Sequence, residues 1–155
     1  MVCMGNICRS PLAHGVFERM VDEAELSHLI EVDSSGTHSW HAGNLPDPRS
    51  QEVAMRHGLD LSYQRARKVI PEDLDNFDYI IAMDRDNLEI LQALAESEEA
   101  LNKLSLFLDF ADGIELSEVP DPYYGGPQGF DHVYELVEAA ASGLLQSISQ
   151  RFPKA

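Results

Sequence analysis

The chain has 155 residues, of which 44% are apolar, and it carries a formal net charge of −16 at pH 7. This length and composition fit one globular domain with a single hydrophobic core and exclude a disordered chain. A charge this negative repels nucleic acid and anionic membrane surfaces, so we expect neither as a partner. No apolar run approaches the ~18 residues that a membrane span requires, and we expect no secretory signal.

The stretch VCMGNICRSP, at Val2–Pro11, places a small-residue turn between a cysteine and an arginine. Gly5 and Asn6 tolerate the left-handed backbone conformations that turn successive N–H groups toward an anion. Pro11 suits the first turn of a following helix, whose N-terminus adds partial positive charge. The pattern therefore predicts a phosphate-binding loop formed by Met4, Gly5, Asn6, Ile7, Cys8, Arg9 and Ser10.

This loop also carries groups that are suited to nucleophilic catalysis. The planar fork of Arg9 fits two phosphate oxygens, and together with the loop N–H groups it favours the thiolate form of Cys3. Ser10 can donate a hydrogen bond to that sulfur. A cysteine and an arginine at this spacing are also compatible with an ordinary buried cysteine beside a surface charge. A zinc site is not favoured, because Cys3 and Cys8 lack a second pair of residues at ligand spacing.

The rest of the chain alternates helical and β-rich patterns. We expect helices over Leu12–Glu25, Pro48–His57, Asn87–Ser97 and Asp131–Phe152, and strands within Leu29–Thr37, Phe77–Met83 and Lys103–Phe110. This alternation predicts a parallel sheet covered by helices on both faces. Ligands of such sheets bind beyond the carboxyl ends of the strands, where a loop enters a helix, and the opening loop fits that place.

The negative charge is spread unevenly along the chain. Residues 1–77 have 7 Lys and Arg against 12 Asp and Glu, a balance of −5, and residues 78–155 have 4 against 15, a balance of −11. An anionic substrate therefore needs a local cradle, which we expect in the N-terminal half. Two cysteines do not make a secreted disulfide framework, so we predict a cytoplasmic protein.

Several motifs resemble those of one known family. CMGNICRSP resembles the signature loop of the low-molecular-weight protein tyrosine phosphatases, and four later segments resemble further motifs of that family in the same order: Trp40–Ser50, Ala66–Val69, Asp78–Leu88 and Val119–Gly126. The resemblance covers essentially the whole chain. It implies one α/β phosphatase domain over residues 1–155, with three layers and a four-stranded parallel sheet of order 2-1-3-4. The family has several apolar residues before its cysteine, where this chain has only Met1 and Val2, so we expect a shortened first strand.

The resemblance also implies a mechanism that needs no metal and no cofactor. Cys3 would attack the phosphorus to form a phosphocysteine, while Arg9 and the loop hold the phosphate oxygens. Asp121, in the segment DPYY, matches the general acid that protonates the leaving group and then activates water. Without the resemblance, an Asp-Pro pair is first of all a turn signal.

The implied substrate is phosphotyrosine in proteins, together with small aryl phosphates, and inorganic phosphate would be both product and competitive ligand. Trp40, Tyr123 and Tyr124 resemble the walls of a slot that stacks the substrate ring, with Ile7 completing it. Related protein-arginine phosphatases carry threonine at the position of Ile7, so an apolar residue there favours the tyrosine type.

Further residues match supporting positions of the family. Asn6, Ser10 and Ser34 match a hydrogen-bonded group that keeps the loop in its strained shape. A histidine often joins this group at the position that Gln64 occupies here. Asp84 matches a position near the site and is equally suited to cap the helix that follows it.

Three points stay open in the sequence. An arsenate reductase of the same fold would need further cysteines near residues 80–90, and IIAMDRDNLEI has none. A non-catalytic phosphate- or phosphopeptide-binding module is the alternative from another class. Cys8 is either an apolar filler or the residue that captures an oxidised Cys3 as a disulfide, which would make the enzyme redox-sensitive but protected.

Overall fold

Four short parallel strands form the centre of the computed structural model, which describes residues 1–152. They are β1 (Val2–Cys3), β2 (Ser35–Gly36), β3 (Ile80–Ala82) and β4 (Leu104–Leu106). Their order across the sheet is β2-β1-β3-β4, so β1 lies between β2 and β3. The predicted α/β fold and strand order are confirmed. Residues 153–155 of the predicted domain lie outside the described residues.

The sheet is covered by helices α1 (Arg9–Glu23), α2 (Pro48–Arg56), α3 (Asp73–Asn76), α4 (Arg85–Leu94), α5 (Glu98–Asn102) and α6 (Pro127–Ser149). No helix within residues 1–152 is long and apolar enough to cross a bilayer. Helix α1 begins three residues earlier than the prediction. Pro11 is no obstacle to this, because the first turn of a helix has no intrahelical acceptor for its N–H groups.

The predicted strands are shorter in the structure than in the sequence pattern. Of Leu29–Thr37, only Ser35 and Gly36 are strand, because they pair with the two residues of β1. The run Lys103–Phe110 leaves the sheet after Leu106 and continues as a 3₁₀ turn. β-propensity identified the segments, and pairing with a neighbouring strand set their ends.

Alternate strand residues point to opposite faces of the sheet, and each face has its own apolar cluster. Val2, Ile80 and Ala82 belong to the cluster on one face, and Cys3 and Ile81 belong to the larger cluster on the other. The larger cluster includes the buried sides of α1 and α6, which pack against each other. The sulfur of Cys3 therefore lies on the same face of the sheet as α1, at the carboxyl end of a central strand.

Candidate active site

The chain leaves β1 at Cys3 and enters α1 at Arg9 through a tight loop. Asn6 has a φ of 57°, the left-handed conformation expected from the sequence. No acceptor in the described part of the chain takes the backbone N–H groups of Gly5, Ile7 and Cys8. Unpaired N–H groups at the N-terminus of a 15-residue helix form a favourable environment for an anion.

Cys3 lies inside this loop, with 2% of its surface exposed. The backbone N–H of Asn6 donates to its Sγ at 3.3 Å, and the Ser10 hydroxyl lies 3.0 Å from the same sulfur. Hydrogen bonds to sulfur favour a thiolate over a thiol. The structure thus places the hydroxyl where the sequence predicted it.

Arg9 is a buried cation that is fixed by two acceptors. Its guanidinium donates to Asp84 Oδ2 at 2.5 Å and to the carbonyl of Val119 at 3.1 Å, and it lies 3.7 Å from Asp121 Oδ2. Burial alone would lower the pKa of Arg9, but the negative charges of Cys3 and Asp84 together raise it. The charge on this side chain is therefore permanent.

Asp84 both lies at the site and caps the helix that follows it, the two interpretations that the sequence left open. One carboxylate oxygen pairs with Arg9, and the other accepts from the backbone N–H of Asn87 at 2.8 Å as the cap of α4. The cap fixes the carboxylate, and the carboxylate orients the guanidinium.

Behind the loop lies a cluster of buried polar side chains with Asn6 at its centre. The Nδ2 of Asn6 donates to the hydroxyls of Ser10 at 2.8 Å and Ser34 at 3.1 Å, and its Oδ1 accepts from the backbone N–H of Arg67 at 3.0 Å. The structure thus brings together Asn6, Ser10 and Ser34, the three residues that the sequence predicted for this group. All bonding capacity of the Asn6 amide except one acceptor position is used, so its orientation is fixed.

Gln64 does not belong to this cluster around Asn6. Its Nε2 donates to the carbonyl of Pro11 at 3.0 Å, and its Oε1 has no partner within residues 1–152. The histidine in contact with Ser34 is instead His14, whose Nδ1 lies 3.0 Å from the hydroxyl. Sequence reasoning missed it, although His14 follows Ser10 by four positions and therefore lies on the same side of α1.

Gly36 is a second residue that the sequence reasoning missed. A side chain at this position would place its Cβ 2.7 Å from the carbonyl oxygen of Met4 and 3.1 Å from the backbone N of Asn6. Only glycine lets β2 approach the loop this closely. The available signal was a glycine inside a predicted strand segment, Leu29–Thr37, where a close approach of another backbone is one reason for glycine.

Asp121 belongs to a more exposed segment at the mouth of the site. About a third (34%) of its side chain is accessible, and its Oδ1 accepts from the backbone N–H of Tyr123 at 3.0 Å. The rings of Tyr123 and Tyr124 meet edge to face at 4.9 Å, and His41 lies 6.3 Å from Tyr123. A partly exposed carboxylate beside aromatic rings is accessible to a leaving group.

The other predicted pocket residues differ in exposure. Trp40 is 67% exposed and stacks on His38, with ring centroids 4.3 Å apart. Ile7 is only 8% exposed and packs into the apolar cluster beneath the loop. The described contacts therefore place Trp40 against His38, whereas the histidine ring beside Tyr123 is that of His41.

Cys8 is buried with a free thiol, as is Cys3. Burial, reinforced by the negative charge of Asp47, raises the pKa of the Cys8 thiol to about 12. The two cysteines of the loop therefore lie in different environments. Within residues 1–152, no group of three or more His, Cys, Asp or Glu side chains is arranged to hold a metal ion.

Comparisons with known proteins agree with this geometry. The sequence model of the family "low molecular weight phosphotyrosine protein phosphatase" matches residues 1–154. A low molecular weight protein-tyrosine-phosphatase of Streptomyces coelicolor is 41% identical over 152 residues, which are 97% of this chain and 92% of the relative. The chain belongs to the low molecular weight phosphotyrosine protein phosphatase family.

Two solved structures have the same fold over nearly their whole length. The protein tyrosine phosphatase of Entamoeba histolytica, crystallised with Hepes in its active site, superposes with a TM-score of 0.92 at 38% identity, covering 96% of this chain and 94% of its own. YfkJ of Bacillus subtilis gives the same TM-score and identity, with 98% and 94% covered. The predicted family membership is confirmed.

Proposed function

We propose that this chain hydrolyses phosphotyrosine in proteins through a phosphocysteine on Cys3. One observation carries the proposal: the sulfur of Cys3 lies beside the fixed cation of Arg9, in a loop whose N–H groups of Gly5, Ile7 and Cys8 have no acceptor within residues 1–152. This arrangement matches the charge of a phosphoryl group in transfer, which is spread over its equatorial oxygens.

In the first step, the thiolate of Cys3 attacks phosphorus and an S–P bond forms as the P–O bond to the aryl group breaks. The departing phenolate has a conjugate acid of pKa ~10, so a proton from Asp121 assists its departure. Asp121 Oδ2 lies 3.7 Å from the guanidinium of Arg9, so this acid is next to the proposed phosphate cradle.

In the second step, water attacks the phosphocysteine and loses its proton to Asp121. The S–P bond breaks, inorganic phosphate leaves, and the thiolate of Cys3 is restored. The hydroxyl of Ser10 at 3.0 Å stabilises the departing sulfur anion. Free phosphate fits the same cradle and is therefore a competitive ligand.

The exposed aromatic residues Trp40, Tyr123 and Tyr124 favour an aryl substrate over an alkyl phosphate. A net charge of −16 disfavours nucleic acid and anionic membranes as partners. Two free cysteines in one loop suit the reducing cytoplasm, where we place the activity.

The test compares the wild-type chain with Cys3→Ser on p-nitrophenyl phosphate and on matched phosphotyrosine and phosphoserine peptides. We expect the wild type to prefer the phosphotyrosine peptide, and the variant to lose turnover by about 10⁴-fold or more while it still binds phosphate. The melting temperature of both proteins controls for folding.

Each alternative function gives a different result in this experiment. A binding module binds the phosphopeptide without turnover in either protein. An arsenate reductase consumes a thiol reductant when arsenate is supplied and hydrolyses aryl phosphates poorly. Either result would contradict the proposed function.

A further inference from the structure

His14 is a buried histidine whose side chain has no part in the two chemical steps. It lies on α1, 7% exposed, one helical turn beyond Ser10. A buried imidazole needs partners for both of its nitrogens, and the structure supplies them on opposite sides of the ring. Nδ1 lies 3.0 Å from Ser34 Oγ, and Nε2 lies 3.3 Å from Glu18 Oε2.

The directions of these hydrogen bonds follow from the neighbours of Ser34. Its hydroxyl oxygen accepts from Asn6 Nδ2 at 3.1 Å, and the described residues offer its hydrogen one acceptor, His14 Nδ1. Nε2 then carries the ring hydrogen and donates it to the carboxylate of Glu18. Glu18 also accepts from the hydroxyl of Tyr63 at 2.7 Å, which fixes the carboxylate from outside.

The charged and titratable groups around the ring are consistent with a neutral imidazole. Burial lowers the pKa of His14, and the opposing charges of Glu18 and Asp33 do not compensate for it. The amino group of Met1 acts in the same direction as burial. Tyr63 contacts the ring edge to face, with centroids 5.9 Å apart.

The other end of this chain of hydrogen bonds reaches the sulfur. Asn6 holds its left-handed φ of 57° while its backbone N–H points at Cys3 Sγ, and its side chain bonds Ser34 and Ser10. A non-glycine residue in this conformation stays there only when surrounding contacts hold it. Ser34 is one such contact, and the direction of its hydroxyl depends on His14.

We propose that His14 is a positioning residue for catalysis: as a neutral acceptor held by Glu18, it orients Ser34, which locks Asn6 and so aims the loop N–H at the Cys3 sulfur. The proposal rests on the proposed function of Cys3. It assigns to α1 two roles, since the helix contributes Arg9 at its N-terminus and the acceptor one turn further on.

The experiment compares two substitutions of the same residue. His14→Phe keeps a planar ring without an acceptor, and His14→Asn keeps an acceptor near the position of Nδ1. The matched control is His57→Phe, because His57 also contacts a tyrosine ring, that of Tyr134, but lies at the end of α2. Steady-state kinetics on p-nitrophenyl phosphate and the pH profile of Cys3 alkylation by iodoacetate are measured for each.

For His14→Phe we expect kcat to fall about tenfold with a smaller change in KM, as for a misplaced reacting group. The alkylation profile shifts to higher pH because the thiolate loses part of its hydrogen bonding. His14→Asn recovers most of the lost kcat, and His57→Phe matches the wild type in both readouts. A merely structural histidine would lower the melting temperature but leave the alkylation profile of the folded protein unchanged.

Ser34→Ala provides a second route if His14→Phe fails to fold, because it breaks the same link without disturbing the ring. The proposal predicts the same loss of kcat and the same alkylation shift. Folded variants at both positions with wild-type kcat and wild-type alkylation profiles would overturn the inference about His14 and leave the proposed function intact. A wild-type chain that has no phosphatase activity would overturn the proposed function and this inference with it.

Discussion

The loop of residues 3–10 and the segment of residues 120–126 contribute the two halves of the proposed chemistry, and they are built differently. In the first, the nucleophile and the cation are 2% exposed and every functional side chain has buried polar partners. In the second, Asp121 is one-third accessible, Tyr124 is 93% exposed, and one hydrogen bond within the segment orients the carboxylate. The phosphate-binding half is thus pre-organised, whereas the acid-bearing half is open to the substrate.

This difference separates the expected effects of substitution. Changes in the segment of residues 120–126 should affect chemistry and leave stability and phosphate affinity almost unchanged. Changes around the loop should affect phosphate affinity, stability and chemistry together.

The largest effect is expected for Asp121→Asn. The amide cannot donate the proton that the leaving group needs, so kcat should fall about 10²–10³-fold on phenyl phosphate. On p-nitrophenyl phosphate, whose leaving group needs less assistance, the loss should be smaller. Steady-state kinetics on both substrates measure this, with Asp112→Asn, in an exposed turn, as the control. Equal losses on both substrates would argue against Asp121 as the acid.

A smaller effect is expected for Asp84→Asn. Asparagine still caps α4, but it removes the negative charge that holds Arg9, so kcat/KM should fall about tenfold. The free energy of unfolding should fall as well, because the buried guanidinium of Arg9 loses its paired charge. The control is Asp86→Asn, an exposed acid in the first turn of the same helix. A wild-type value of kcat/KM for the variant would show that the carboxylate serves the helix cap only.

Gly36→Ala tests how tightly the loop is supported. The added methyl group lies 2.7 Å from the carbonyl oxygen of Met4, so the loop must shift, which costs about 1–3 kcal/mol of unfolding free energy. Phosphate affinity should weaken in parallel. Gly126→Ala is the matched control, because nothing lies within 4 Å of a Cβ there and the site belongs to the open segment. Urea unfolding distinguishes the two variants, and equal stabilities would contradict the pre-organised loop.

The smallest effect concerns the reaction of Cys8 with an oxidised Cys3. The pKa of Cys8 is raised to about 12, so the fraction of its thiolate increases about tenfold for each pH unit in the neutral range. After brief peroxide treatment, the Cys3–Cys8 disulfide, formed with loss of water from the sulfenic acid, should appear faster as pH rises. Mass spectrometry follows this step, and a rate independent of pH would contradict it.

The variant Cys8→Ser tests whether this disulfide protects Cys3. After peroxide treatment, the variant should lose its activity irreversibly, because Cys3 is oxidised further. Full recovery of its activity with a thiol reductant would rule out a protective role of Cys8.

The family and the sheet order could be predicted from the sequence, the sheet order because the resemblance of several motifs to one family implies it. Local patterns predict less: the alternation of apolar segments predicts a parallel sheet covered by helices, and the small residues Gly5 and Asn6 between Cys3 and Arg9 predict the tight loop. The loop is predictable because its backbone conformation requires particular residue types at consecutive positions, such as Asn6 with its φ of 57°.

What the sequence did not reveal depends on contacts between distant segments. The histidine that contacts Ser34 is His14 on α1, and not a residue at the position of Gln64. The position that Gln64 occupies therefore gave no hint of where this histidine lies. Gly36 is required by the approach of the Met4 carbonyl, which exists only after the strands pair. The strand ends followed pairing as well, because Ser35 and Gly36 are strand only opposite the short β1.

The most direct test of the proposed cradle is a crystal structure with vanadate. We predict that the vanadium lies within bonding distance of Cys3 Sγ, that the N–H groups of Gly5, Ile7 and Cys8 donate to its oxygens, and that the Arg9 guanidinium contacts them in the same orientation that Asp84 now imposes. A vanadate bound elsewhere on the surface, with the loop unchanged and the Cys3 sulfur uncoordinated, would contradict this account.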